Sequence, residues 1–126
     1  MASRMETPRK TAQGLGSAKS GTAHFIAQRV TAVALVPLVA WFLIALVTAF
    51  QGGYAGARDF VADPVNAVLL VLLISAAFHH MQLGLQVVIE DYIERHGTRA
   101  ALLILNVFAA VALWVAAVVS ILKIAL

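Results

Sequence analysis

VNAVLLVLLISAAFHHMQLGLQVVI, residues 65 to 89, runs for 25 residues without a charged side chain. A hydrocarbon core takes ~20 residues of helix to cross, so this run is long enough to span a bilayer by itself. It has no alternation of polar and apolar positions, which argues for a helix and against a barrel strand. Two further runs repeat the pattern, with 21 uncharged residues from Val30 to Phe50 and 23 from Ala100 to Leu122. Pro37 inside the first is compatible with insertion, because neighbouring helices satisfy the carbonyl it frees.

Composition agrees with the three runs. Of 126 residues, 62% are hydrophobic and 12% charged, against ~45–50% and ~25% in soluble domains. A chain this short holds one domain at most. Disordered proteins, nucleic-acid-binding modules and ordinary soluble enzymes are excluded. The chain has no cysteine, so disulfides, iron–sulfur clusters and thiolate zinc sites are excluded within it. The expectation is an all-α membrane protein whose three transmembrane helices lie at about 30–50, 65–93 and 99–123.

The polar segments divide the spans. Residues 1–20, rich in Ser, Gly, Lys and Arg with no apolar face, are expected to be flexible, and 21–126 to form the membrane domain. Gln51–Pro64, with Gly52, Gly53 and Gly56, reads as a loop, and Asp63 before Pro64 as an N-cap to the second helix. In the Asp91–Arg99 turn, Gly97 reads as a helix stop and Thr98 as a cap.

Basic residues give the orientation. Arg4, Arg9, Lys10, Lys19, Arg29, Arg95 and Arg99 fall on one side, and only Arg58 and Lys123 on the other. Seven against two is a positive-inside signal. It places the N-terminus and the DYIERHGTR turn in the cytoplasm, or less favourably in a mitochondrial matrix, and needs no nucleic-acid partner. The first run exceeds the ~7–15 residues of a signal-peptide core, and the N-terminus shows no basic amphipathic helix. A bacterial inner membrane, with lipids around the helices, is the favoured setting.

Most polar residues inside the spans, Thr31, Thr48, Asn66, Ser75, Asn106 and Ser120, need do no more than bond to their own helix or a neighbour. His79 and His80 differ. They lie between the midplane and the cytoplasmic face, where ionisable groups are costly and line a pathway, pair, or bind something. A neutral imidazole suits axial ligation of haem iron; the structural alternative is a hydrogen bond across the bundle. At 100° per residue, Gly84, Val87 and Asp91 all lie within ~40° of His80. One face thus carries a possible metal ligand, a glycine with no bulk to obstruct a planar macrocycle, and a carboxylate ~16 Å further along. Three helices with one such face leave a pocket incomplete, so a second ligand would come from another chain or another copy of this one. Glu90-Asp91-Tyr92 reads either as an ordinary interfacial cluster with Tyr92 in the aromatic belt, or as a phenol beside a carboxylate where a quinone headgroup would be reduced.

The stretch from His80 to Tyr92, HMQLGLQVVIEDY, resembles the helix-two signature of the hydrophobic membrane anchor subunits of succinate dehydrogenase, respiratory complex II: a histidine, a glycine four later, then Asp-Tyr seven and eight after the glycine. His24 to Ala32, HFIAQRVTA, resembles that family's approach to helix one. The resemblance covers roughly residues 21–126. It implies a heteromeric bundle with a cytochrome b556-type membrane subunit, holding one haem b. Flavoprotein and iron–sulfur subunits would dock on the cytoplasmic side, oxidise succinate and pass electrons to ubiquinone at the membrane. By family position His80 would be an axial haem ligand, and thus the metal ligand. Tyr92 would donate to a quinone carbonyl and Asp91 would orient that tyrosine. Arg29 would lie near the haem propionates or the quinone, or serve only as a topology anchor. The adjacent His79 is the rival ligand, but it points 100° away from the face shared with Gly84 and Asp91.

Two other functions compete. One is the anchor of a fumarate reductase, running the same chemistry in reverse. The other is a non-redox membrane scaffold, which would leave His80 without a partner. A proton-coupled transporter is disfavoured, because all six carboxylates lie outside the uncharged runs.

Overall fold

The structure, a computed structural model, describes residues 21–126; the segment expected to be flexible, 1–20, lies outside the described residues. Four helices follow in order: α1 (Gly21–Gln51), α2 (Gly53–Ala62), α3 (Pro64–Tyr92) and α4 (His96–Ala125). The three long ones are apolar enough, and with 31, 29 and 30 residues long enough, to cross a membrane. The chain is an all-α integral membrane protein.

Its apolar surface faces outward. Buried hydrophobics are confined to Ala49, Ala67, Leu70, Leu73, Leu83, Ala110 and Ile121 among the described residues, whereas Val33, Val36 and Ile44 are each 72% exposed. Water would not tolerate that distribution, and lipid or neighbouring membrane helices would. α3 packs against both α1 and α4, while the backbones of α1 and α4 stay apart. The three spans therefore form an open row with α3 in the middle.

Three local features depart from the sequence reading. α1 starts at Gly21, nine residues before the uncharged run. His24, Gln28 and Arg29 end the apolar run, but polar side chains do not stop a helix already propagating. Pro37 lies inside that helix without ending it. The expected loop at 51–64 contains α2, which swings Phe60 and Val61 onto a cluster built on Ala67, Leu70 and Ile121. Trp41 stacks on Phe60 there, ring centroids 5.9 Å apart. Glycine is needed at the α1–α2 junction for space and for conformation: Gly53 has φ 62°, and a Cβ on Gly56 would lie 2.9 Å from the Ala49 carbonyl oxygen.

The third departure is the α3–α4 connection. Gly97 does not stop α3 and Thr98 does not cap α4. α3 ends at Tyr92, α4 opens at His96 behind Arg95, and no side chain caps it. Instead Arg99 donates from Nε to the Ile93 carbonyl at 2.8 Å, drawing the turn shut from the first turn of α4. At the other end of α3 the expected cap is present: Asp63 accepts from the backbone N–H groups of Val65 and Asn66 at 3.0 and 2.9 Å, with Pro64 in the first turn.

Candidate functional site

The two adjacent histidines point into different seams. His80 is half-buried between α3 and α1, where its Nδ1 meets Thr31 Oγ1 at 3.0 Å. His79 is exposed and lines a groove of about 420 Å³ between α3 and α4, with Ser75, Phe78, Gln82, Val107 and Trp114. That groove is braced by Trp114 Nε1 donating to Ser75 Oγ at 2.9 Å and Asn106 Nδ2 donating to the Gln82 carbonyl at 2.8 Å. No hydrogen bond orients His79 among the described residues.

The α1 side of the His80 seam is polar. His24, Gln28 and Thr31 recur at spacings of four and three, so they share one face of α1. Gln28 Nε2 lies 3.7 Å from where a Cβ on Gly84 would sit. The glycine face thus meets Gln28 at ordinary contact distance, and an alanine would fit against this chain. His24 Nε2 and Gln28 Oε1 are buried with no hydrogen-bond partner among the described residues. Sequence reasoning placed Thr31 among residues that bond back or across, and it does both. His24 and Gln28 enter the sequence reading only as part of the family resemblance. The regular four-then-three spacing of polar residues at the start of a membrane helix was the signal for that stripe.

The remaining site candidates stand apart from His80. Asp91 is exposed and Tyr92 is 80% exposed. At 1.5 Å rise per residue, Tyr92 is about 18 Å along α3 from His80. It borders a shallow depression of about 340 Å³ with Ile93, Glu94, Arg95 and Thr98. The adjacent Glu90 is engaged elsewhere, accepting from Gln86 Nε2 at 2.9 Å. Arg29 is exposed, with its guanidinium 5.1 Å above the Phe25 ring. Two residues before Thr31 on a helix, it faces almost directly away from the His80 seam.

Among the described residues no cluster of three or more His, Cys, Asp or Glu side chains could hold a metal ion by itself. The donor set fits a different kind of iron centre. His80 is a single imidazole held at Nδ1, and its Nε2 has no hydrogen-bond partner among the described residues. One such nitrogen is what an axial position on a macrocycle requires, the macrocycle supplying the equatorial donors.

Known proteins place the chain. Residues 3–122 match the family model described as succinate dehydrogenase/fumarate reductase transmembrane subunit. The chain is 37% identical over 101 residues to the succinate dehydrogenase hydrophobic membrane anchor subunit of Paracoccus denitrificans, covering 80% of this chain and 78% of that one. It is 36% identical over 93 residues to the same subunit of Rickettsia bellii, covering 74% of each. For that of Rickettsia conorii the identity is 35% over 95 residues, covering 75% of each. With three membrane-spanning helices and these relatives, the chain belongs to the succinate dehydrogenase/fumarate reductase transmembrane subunit family, as a succinate dehydrogenase hydrophobic membrane anchor subunit.

Proposed function

We propose that this anchor subunit helps to bind haem b through His80 and ubiquinone through Tyr92, in a complex whose flavoprotein subunit oxidises succinate. The observation that carries the reading is the His80 ring, tied to α1 at Nδ1 with Nε2 free of other partners among the described residues. The backbones of α1 and α4 stay apart on either side of α3, which leaves faces open for a cytochrome b556-type subunit that would supply the rest of the haem site. Bound haem supplies a one-electron carrier within the membrane.

Around it the chain's own residues have separable tasks. His80 would hold haem iron through Nε2. Tyr92, exposed where α3 ends, donates its hydroxyl hydrogen to a quinone carbonyl that approaches from lipid, and Asp91 orients that phenol. Arg29 would lie near the quinone or a haem propionate, or serve as a topology anchor; its charge, directed away from the His80 seam, favours the quinone or the anchor role over a propionate. The iron–sulfur subunit docks over the Tyr92 end. The relatives' names favour succinate oxidation over fumarate reduction.

The test is the reduced-minus-oxidised spectrum of the purified complex. His80→Leu removes the low-spin signature or shifts it strongly, and His79→Leu preserves it. The opposite outcome overturns the assignment, and a wild-type complex without a Soret band overturns haem binding altogether.

The N-terminus lies in the cytoplasm of a bacterium by the same proposal, on the seven-to-two asymmetry of basic residues. A reporter fused after Leu126 is then active when it requires the outer side. One that works only in the cytoplasm reverses the topology.

A further inference from the structure

We infer that Thr31 is a positioning residue for the His80 ligand, fixing which imidazole nitrogen carries the hydrogen and thereby presenting Nε2 to iron. The inference rests on the haem reading above. Its starting point is what surrounds the threonine oxygen. Thr31 Oγ1 lies 2.8 Å from the carbonyl oxygen of Ala27 and 3.1 Å from that of Gln28. Carbonyl oxygens only accept, so the hydroxyl hydrogen is directed to the backbone of α1. What Thr31 then offers His80 is a lone pair, 3.0 Å from Nδ1.

That contact closes only if Nδ1 carries a hydrogen. A neutral imidazole has one N–H, so Nε2 is left bare, which is the form a metal requires. The bonds back to α1 also fix the position of the hydroxyl, and with it the plane of the ring that donates to it. Metal-bound histidines generally donate their second N–H to an oxygen, which fixes the tautomer and raises the ligand's basicity. Here the oxygen is a hydroxyl on a different helix, 49 residues away in sequence. His79, one residue earlier, has no such partner among the described residues.

A more basic ligand favours oxidised iron. Removing the Thr31 hydroxyl therefore shifts the haem equilibrium toward the reduced state, by about two- to tenfold for the loss of one net hydrogen bond. Tenfold corresponds to about 59 mV for one electron. An interhelical hydrogen bond that served packing alone would lower stability and leave the potential unchanged.

The experiment is a redox titration of haem in the purified complex, with the low-spin spectrum recorded in parallel. Thr31→Val keeps the shape and removes the hydroxyl, and Thr31→Ala does the same should the valine complex fail to assemble. Either raises the midpoint potential and perturbs the low-spin spectrum, and Thr31→Ser restores both. A potential at the wild-type value in the apolar variants overturns the inference, as does a serine variant displaced as far as the valine one. If instead His80→Leu leaves the low-spin spectrum intact, the haem reading itself has failed, whatever Thr31 does.

Discussion

At the Pro64 end of α3, Ala67 and Leu70 are buried against Ile121 of α4, and Trp41, Phe42 and Phe60 close around them. Among the described residues at the Tyr92 end, Leu83 and Asn106 are the nearest buried side chains, His24 and Gln28 hold buried polar atoms without partners, and Tyr92 is 80% exposed. Lipid tails are as apolar as leucine, so helices in a membrane associate through close packing and hydrogen bonds and gain little from burying apolar area. By that measure the Pro64 end is complete: small residues, a stacked aromatic pair and a short helix folded over the top. The Tyr92 end is not. An unpaired polar atom away from water costs about 1–3 kcal/mol, and here two lie on the face that meets His80. The half of the chain carrying the candidate site is thus the half whose buried polar atoms are left unsatisfied among the described residues.

This contrast predicts two mutations with opposite signatures. The larger effect is at the packed end. Leu70→Ala leaves a cavity among Trp41, Phe60 and Ile121, at a cost of about 2 kcal/mol. That is at the low end of the usual range for leucine in a soluble core, because in lipid the transfer share of the cost is absent and the packing share remains. Thermal melting of the purified complex should fall by several degrees, while haem spectrum and quinone reduction per assembled complex stay at wild-type values. A Leu70→Ala complex that melts normally but loses its haem signature would break the division between the two ends.

Sequence made the packed end partly legible and the open end less so. The three spans could be read because a charge-free run of 21 or more residues has few uses outside a membrane. Asp63 before Pro64 could be read because capping is local chemistry. α2 was hidden by Gly52, Gly53 and Gly56, which suggest a loop; only Gly53 adopts a left-handed conformation, and the other two are needed for close backbone approach. Thr98 looks like a cap, but the turn is closed by Arg99 reaching back to Ile93, a choice made by the tertiary turn. His80 could be singled out by its depth and by Gly84 and Asp91 on its face. Its partner Thr31 could not, because a contact across 49 residues leaves no local trace. Nor does periodicity show that His79 and His80, adjacent in sequence, serve two different seams.

The smaller effect belongs to the open end and follows from the proposed quinone role. Tyr92→Phe removes one oxygen from a side chain that is mostly exposed, so the cost to stability is slight. If its hydroxyl donates to a quinone carbonyl, that bond strengthens as the oxygen gains negative charge during reduction, and its loss slows the reaction more than it weakens binding. Single donors in oxyanion-type sites contribute ~10²–10³ in rate. Tyr92 should fall below that range, at about tenfold, because a quinone has a second carbonyl for other donors. Tenfold is about 1.4 kcal/mol of transition-state stabilisation. Quinone reduction by the purified complex should fall by that factor, while succinate oxidation with an artificial acceptor and the melting temperature remain unchanged. Equal loss of both activities would mean that Tyr92 holds the complex together and that the open end is structural after all. Unchanged quinone reduction would return Tyr92 to the ring of aromatic residues that anchors membrane helices at the interface.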